Sequence, residues 1–168
     1  MTVVSNSWSY CEDQTSAADL TSMDSVLASL AASGITVLNA SGDTGSTCLS
    51  GAPNTIGVPA GSPHATAVGG SSYTWGPAPL YTGTERWWNG AASNPPTGQG
   101  GFGVSRHYAR PAFQSGFTAS SFRSIPDVVA AADPVTNGKP ICQASKGGCP
   151  SGLFYGGTSV AAPLWAAI

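Results

Sequence analysis

The first forty residues change from one hydrophobic period to another, and this pattern predicts a strand, a helix and a second strand. Residues 2–8 begin with β-branched side chains and then alternate, which is typical of a strand. Residues 16–33 place apolar side chains at helical spacing, and Gly34 stands where helices commonly end. Residues 35–40 are nearly all apolar, as in a parallel strand buried on both faces. A strand, helix and strand of this length form a βαβ unit, so the two strands should be parallel neighbours.

The rest of the chain predicts long connections between short elements. Residues 44–124 are expected to be mostly loop, and residues 94–101 consist almost entirely of turn-forming residues. The remaining predicted elements are strands at residues 65–69, 126–132 and 153–155 and a helix at residues 159–168. No repeat or linker interrupts this order, which favours one α/β layer over two domains.

The composition narrows the classes of function. Charged residues make up 8% of the 168 residues, against roughly 25% in ordinary soluble domains. Aromatic and branched apolar residues argue against disorder, although the chain has 22 glycines and 13 prolines. Six basic residues are scattered along a chain of net charge −2, and no apolar run approaches the ~20 residues that span a bilayer. We therefore expect neither a nucleic acid nor a membrane as partner.

The four cysteines allow three disulfide pairings. None of their spacings is a CxxC pair, so no zinc site is predicted. Cys142 and Cys149 close a short loop, which suits a local bridge, and the βαβ unit places Cys11 and Cys48 beyond the carboxyl ends of neighbouring strands. We expect the bridges Cys11–Cys48 and Cys142–Cys149, and with them a secreted protein. The alternative is four buried thiols in a cytosolic protein.

Residues 156–163, with the sequence GGTSVAAP, carry the candidate chemistry. Glycines such as Gly157 let the chain turn sharply and keep side chains away from an approaching substrate. Ser159 lies at the predicted helix start, beside backbone N–H groups that have no intrahelical partner. An oxyanion formed on a carbonyl attacked by Ser159 would be stabilised there. The alternative is that Ser159 is an ordinary serine at a helix start.

The same segment resembles the nucleophile motif Gly-Thr-Ser-x-Ala-Ala-Pro of the subtilisin clan. Within that clan the chain resembles the sedolisins, the serine-carboxyl peptidases, along nearly its whole length. The matching stretches, in family order, are residues 3–8, 41–46, 88–90, 101–106, 126–128 with 132–134, and 157–163. The resemblance implies a subtilisin-like α/β fold with a mostly parallel sheet, flanking helices and long loops. It also implies a secreted enzyme that cleaves peptides or proteins, with Ser159 as the nucleophile.

Asp43 distinguishes the sedolisins from the subtilisins in this resemblance. Subtilisins carry an asparagine at the matching position, and its amide donates a hydrogen bond to the oxyanion, whereas sedolisins carry an aspartic acid. An ionised carboxylate would repel the oxyanion, so Asp43 must carry a proton to act as a donor. The resemblance therefore implies an enzyme that works in acid. The alternative is an ordinary aspartate in a turn.

The segment Ser7-Trp8-Ser9 resembles the family segment that lines the substrate cleft and pairs with the peptide main chain. Ser7, Trp8 and Ser9, together with Gly157, are therefore the candidate substrate-binding residues. The family usually has glycine where Ser9 stands, so a side chain here departs from the close backbone approach of the family. The alternative is that this segment is simply the end of a core strand.

Part of the family's machinery is expected outside this chain. Sedolisins use a glutamate base oriented by an aspartate one helical turn away, on a helix before the strand that matches residues 2–8. Neither Glu12 nor Glu85 has an acidic residue four positions on. The family's calcium site matches residues beyond Ile168, and an N-terminal prodomain belongs to the precursor. We expect a partial catalytic domain, residues 1–168, that is inactive alone and holds no cofactor or metal of its own.

Two other classes of function remain open at this stage. The first is a Ser-His-Asp hydrolase that combines Ser159 and Asp43 with His64 or His107. Subtilisin-like sequences place both triad partners ahead of the position of Asp43, and both histidines follow it. The second is a non-catalytic pseudopeptidase or binding module that has kept the fold.

Overall fold

The computed structural model describes residues 2–48, 52–74, 83–90 and 98–168, so residues 94–97 of the predicted turn segment lie outside the described residues. Within these ranges the α-helices are α1 (Ala17–Ala32) and α2 (Thr158–Ala166). The first six strands are β1 (Val3–Asn6), β2 (Tyr10–Cys11), β3 (Thr36–Ala40), β4 (Gly57–Val58), β5 (Thr66–Tyr73) and β6 (Glu85–Trp87). The last five are β7 (Gly103–Ala109), β8 (Phe122–Ile125), β9 (Val128–Ala131), β10 (Lys139–Pro140) and β11 (Phe154–Tyr155).

The central sheet has five strands and is mostly parallel. β1 pairs in parallel with β3, and α1 connects them, which confirms the predicted βαβ unit. β5 runs parallel to β3 on one side and to β9 on the other, whereas β6 pairs antiparallel with the end of β5. The predicted α/β fold class is thus confirmed.

Helix α1 forms where the sequence predicts it because its ends and its apolar face agree. The Ser16 side chain accepts a hydrogen bond from the backbone N–H of Asp19 at 3.1 Å and so caps the helix. Leu20 and Leu27 are buried on the face that meets the rest of the molecule, and Leu27 packs with Val37 of β3. This helix covers one face of the sheet.

Helix α2 covers the opposite face. Ala161 and Ala162 are fully buried in a cluster with Leu38 of β3 and Val68 of β5. Val37 and Leu38 are consecutive, so their side chains point to opposite faces and each meets a different helix. The apolar character of β3 follows from this burial on two sides.

The first strand lies at an open edge of the described sheet, and one expectation about the later strands was wrong. β1 is only half-buried, with Val3 39% exposed, because among the described residues it pairs with β3 alone. The segment expected to be loop contains an antiparallel pair, β7 with β8, outside the central sheet. Its pairing shifts register between Val104 and Ala109, and the buried carboxylate of Glu12 binds the β7 backbone. A contact over such a distance in sequence leaves no local pattern.

Both predicted disulfides are present. The Cα atoms lie 5.5 Å apart in Cys11–Cys48 and 4.6 Å apart in Cys142–Cys149. The first bridge ties β2, which follows β1, to the segment that follows β3. This is expected because β1 and β3 are neighbouring parallel strands. Within the described ranges, neither α-helix has the length and apolar character needed to cross a bilayer.

Candidate active site

The carboxyl end of β3 and the start of α2 bring Asp43 to the segment that carries Ser159. Asp43 lies in the turn after β3, and α2 packs across β3. Asp43 Oδ1 accepts a hydrogen bond from the backbone N–H of Thr158 and another from Thr158 Oγ1, each at 2.8 Å. Ser159 is the next residue of the helix. The two residues proposed for catalysis are therefore joined through Thr158.

Gly157 makes this arrangement possible. Its φ of +99° lies in the region that favours glycine, and a Cβ at this position would lie 2.7 Å from Asp43 Oδ2. The adjoining Gly42 N–H donates to Thr158 Oγ1 at 3.1 Å, and Thr158 is buried. Gly157 therefore serves to admit the Asp43 carboxyl group to the helix start.

The two carboxyl oxygens of Asp43 have different surroundings. Oδ1 accepts both hydrogen bonds from Thr158, whereas Oδ2 lies against the Cα of Gly157. The bonds from Thr158 thus engage Oδ1, and Oδ2 is the oxygen nearest to Gly157.

Ser159 is exposed in the first turn of α2. Its carbonyl oxygen would ordinarily accept from the N–H four residues later, but that residue is Pro163, which has none. Ser7 Oγ donates to this oxygen at 3.3 Å instead. Ser7, predicted to bind substrate, thus contacts the main chain of the proposed nucleophile.

The next two candidates occupy different environments. Trp8 is 77% exposed, and its N–H and carbonyl oxygen both bond to the side chain of Asn6, at 3.3 and 3.0 Å. Ser9 is partly buried and lines a small cavity that Asp43 also lines. The structure thus places the Ser7-Trp8-Ser9 segment beside both Ser159 and Asp43.

Sequence reasoning missed two asparagines that support this segment. Asn6 donates to the Oδ1 of Asn39, and Asn39 is fully buried and donates to Ala40 O at 2.8 Å. The two residues are register partners on β1 and β3. An asparagine near the end of each predicted parallel strand was a signal that could have revealed the pair.

The chain is similar to known proteins in both sequence and structure. No family model matches the sequence. Kumamolisin of Bacillus sp. (strain MN-32) is 33% identical over 177 aligned residues, which cover 99% of this chain and 30% of kumamolisin. Pseudomonas sedolisin, a serine-carboxyl proteinase solved with two molecules of pseudo-iodotyrostatin, superposes with a TM-score of 0.81 and 30% identity. That match covers 98% of this chain and 45% of the sedolisin chain.

The chain belongs to the sedolisin family. It spans less than half the length of each of these two relatives. The match confirms the subtilisin-like fold that the motifs implied.

The histidines of this sedolisin-family chain lie away from Ser159. His64 Nδ1 lies 3.1 Å from Asp24 Oδ1, just before the amino end of β5. Asp43 follows the carboxyl end of β3, and β3 is parallel to β5. His64 and Asp43 therefore lie at opposite ends of these strands. His107 lies on β7, with its ring edge-on to that of Tyr108 at 4.8 Å. The structure does not assemble the alternative triad.

Every Asp, Glu and His of the sequence lies within the described residues, so a base inside this chain would be visible. Glu12 is buried and bonds to the backbone N–H of Arg106 at 2.9 Å, and Glu85 accepts from Ser71 Oγ at 2.6 Å. None of these side chains forms a hydrogen bond with Ser159 Oγ.

The described residues do not fit a metal site either. Among them no group of three or more His, Cys, Asp or Glu side chains could hold an ion. The calcium expected for the family concerns residues beyond Ile168, and no chemical step here involves it.

Proposed function

We propose that this chain is the nucleophile-bearing part of an acid-acting serine-carboxyl peptidase. The relatives support the peptidase family, and the roles of Ser159 and Asp43 are our own assignment. The observation that carries it is the pair of hydrogen bonds from Thr158 to Asp43 Oδ1 at the helix start that bears Ser159. The proposal makes Ser159 the nucleophile and Asp43, in its protonated form, the oxyanion donor.

The first step is attack of Ser159 Oγ on the carbonyl carbon of the scissile peptide bond. The new C–O bond forms as the hydroxyl proton passes to a base, and the carbonyl oxygen becomes an oxyanion. The Oδ2–H group of Asp43 donates to this oxygen, as does the N–H of Ser159, which at the second helical position has no intrahelical acceptor. Collapse expels the amine, which takes up a proton, and water then hydrolyses the acyl-enzyme.

The base is proposed to lie outside this chain. In sedolisins it is a glutamate upstream of the strand that matches β1, and the acids of this chain are engaged elsewhere. We therefore propose that the 168 residues alone are inactive and that the whole protein carries the glutamate and aspartate pair. The prodomain of the precursor and the calcium beyond Ile168 belong to the same proposal.

The substrate is proposed to be an extended peptide that lies along Ser7-Trp8-Ser9 and passes Gly157. The exposed Trp8 side chain and the proximity of this segment to Ser159 and Asp43 support this path. Two disulfide bridges favour an oxidising compartment, so we propose that the protein is secreted.

A chimera tests the assignment. This chain replaces the matching segment of Pseudomonas sedolisin, whose remaining residues supply the upstream part of the domain. We expect cleavage of a mixed peptide library in acid, and a fall of several orders of magnitude in the Ser159→Ala variant. A variant that keeps more than about a tenth of kcat/KM contradicts Ser159 as the nucleophile. A folded chimera that binds peptides without cleaving them supports the non-catalytic alternative.

A further inference from the structure

A small cavity lies directly beside the proposed oxyanion donor. Its volume is about 40 Å³, and Asp43, Ser9, Gly57 and Phe102 are among the residues that line it. A cavity of about 10–15 Å³ is enough for one water, so this one fits two or three side-chain atoms and no aromatic ring. A peptide whose carbonyl oxygen meets Asp43 would direct the side chain of the same residue toward this cavity.

Ser9 Oγ is the unused polar group of the cavity. It is buried without a hydrogen-bond partner, one of three such side-chain atoms in the described part of the chain. The other two belong to Trp88 and Arg123, which do not line the cavity. The hydroxyls of Ser41, Thr44 and Thr55 also line it, but they donate to Gly101 O, Thr47 O and Asp13 Oδ1. The Ser9 hydroxyl therefore lacks a partner in the protein and is closed to solvent, so a ligand in the cavity meets it when the Ser9 side chain rotates about its Cα–Cβ bond.

The Ser9 side chain also limits the width of the cavity. It faces Gly57 of β4 so closely that a Cβ on Gly57 would lie 2.4 Å from Ser9 Oγ. The wall opposite Ser9 is thus already reduced to a glycine, and the serine side chain fills the space that this glycine leaves.

We propose that Ser9 sets the side-chain preference of the peptidase at the residue that supplies the scissile carbonyl. The cavity takes a short side chain with a hydrogen-bonding group, such as serine, and excludes aromatic and long aliphatic side chains. The hydrogen bond adds selectivity, since a ligand that lacks a partner leaves the buried hydroxyl unpaired. This inference rests on the proposed function, because Asp43 relates the cavity to the reacting carbonyl.

Binding measurements test the preference without turnover. The Ser159→Ala variant of the sedolisin chimera is titrated at pH 4 with acetyl-Gly-Gly-X peptides, where X is Ser, Ala or Phe, and binding is followed by NMR shifts of the Ser9 and Gly57 amides. We expect the Ser peptide to bind at least about tenfold more tightly than the Phe peptide, since a serine side chain satisfies the buried hydroxyl and a phenyl ring does not fit. Ser9→Ala keeps the narrow wall and should lose the advantage of Ser over Ala. Ser9→Gly should admit the Phe peptide.

Ser9→Ala and Ser9→Gly, made in the chimera with Ser159 intact, give kcat/KM for matching substrates. These values separate the role of Ser9 from the proposed catalytic function. If the three peptides bind in the same order of affinity to the protein with Ser9 and to its Ser9→Ala and Ser9→Gly variants, the role of Ser9 is overturned, even when cleavage depends on Ser159. A Ser9-dependent order without any Ser159-dependent cleavage supports the cavity assignment and contradicts the proposed function. Failure of every peptide to bind the chimera overturns both.

Discussion

Ser7 Oγ donates a hydrogen bond to the carbonyl oxygen of Ser159 at 3.3 Å, at the position where Pro163 leaves the helix without a donor. This bond joins the segment after β1 to the first turn of α2, 152 residues later in the chain. It touches the main chain of the proposed nucleophile and leaves the Ser159 hydroxyl free. Ser7 is thus placed to position Ser159 through its backbone.

The Ser7→Ala variant of the sedolisin chimera tests this positioning role. We expect kcat to fall about tenfold with little change in KM, because misplacement of a reacting group by about an ångström can cost up to 10² in rate. The pH profile should keep its shape. Ser5→Ala, exposed on the preceding strand β1, is the matched control and should have no effect.

A double variant makes the test specific. Pro163→Ala restores a backbone N–H that can donate to Ser159 O, so it should recover much of the activity that Ser7→Ala loses. Steady-state kinetics of the four proteins in this cycle give the coupling. If Ser7→Ala lowers kcat by the same factor with Pro163 intact and with Pro163→Ala, Ser7 does not act through the carbonyl oxygen that Pro163 leaves without a donor.

Asp43 gives a prediction about pH. As the protein is brought from acid toward neutral pH and Asp43 loses its proton, activity of the chimera should fall, because an ionised carboxylate repels the oxyanion. Asp43→Asn should flatten this alkaline limb, since an amide donates at any pH. Asp43→Ala removes the donor and should cost about 10²–10³ in kcat.

The measurement is kcat against pH for the three proteins, with Thr158→Val as a further variant. That change removes the hydroxyl donor at Asp43 Oδ1 and keeps the backbone one, so an intermediate loss is expected. An unchanged pH profile in Asp43→Asn, together with little loss in Asp43→Ala, would return Asp43 to the role of a turn residue.

Local patterns predicted the parts of this molecule whose causes are local. The periodicity of α1 and the apolar run of β3 were enough for the βαβ unit, and with it for the Cys11–Cys48 bridge. The β7–β8 pair was missed because a buried carboxylate from a distant turn supports it. The contact of Ser7 with Ser159 was hidden for the same reason, although Pro163 in the motif already signalled an unpaired carbonyl.

The glycines at the start of α2 have a structural reason that the motif alone did not reveal. Gly157 was expected to leave room for substrate, and the structure shows it leaving room for Asp43 Oδ2. Gly156 is equally constrained, because a Cβ there would lie 2.2 Å from Ala132 O. The segment around Asp133 therefore supports the path of the chain into the candidate active site.

Asp133 should make the stability of this segment depend on pH. Burial alone would raise its pKa, but hydrogen bonds from Ser72 Oγ, Val135 N–H and Thr136 lower it overall. A lowered pKa in the folded state means that the ionised form stabilises the protein above the unfolded value of about 3.9. This stabilisation should be lost as the pH falls through the lower folded value.

Urea unfolding of the chimera from pH 6 to pH 2 measures this effect. Asp133→Asn should reduce the free energy of unfolding at pH 6 by about 1.5–3 kcal/mol, since hydrogen bonds to a charged group are lost. It should also flatten the acid limb. Thr136→Val removes one donor and should give an intermediate result, whereas an acid limb that persists in Asp133→Asn would assign it to another group.

The last prediction concerns the 168 residues by themselves, which we expect not to hydrolyse peptides. Ser159 Oγ has no base in this chain, because no Asp, Glu or His side chain forms a hydrogen bond with it and Asp43 accepts its hydrogen bonds from Thr158. An oxyanion hole without a base retains only a small part of the full rate, so turnover should be at least about 10³-fold below that of the chimera. The described part of β1 also has one unpaired edge, which favours association, so we expect poor solubility. Assays with a mixed peptide library from acid to neutral pH decide the point. Turnover that disappears in Ser159→Ala would place the base inside this chain, and Asp43, His64 and His107 would be the residues to replace next.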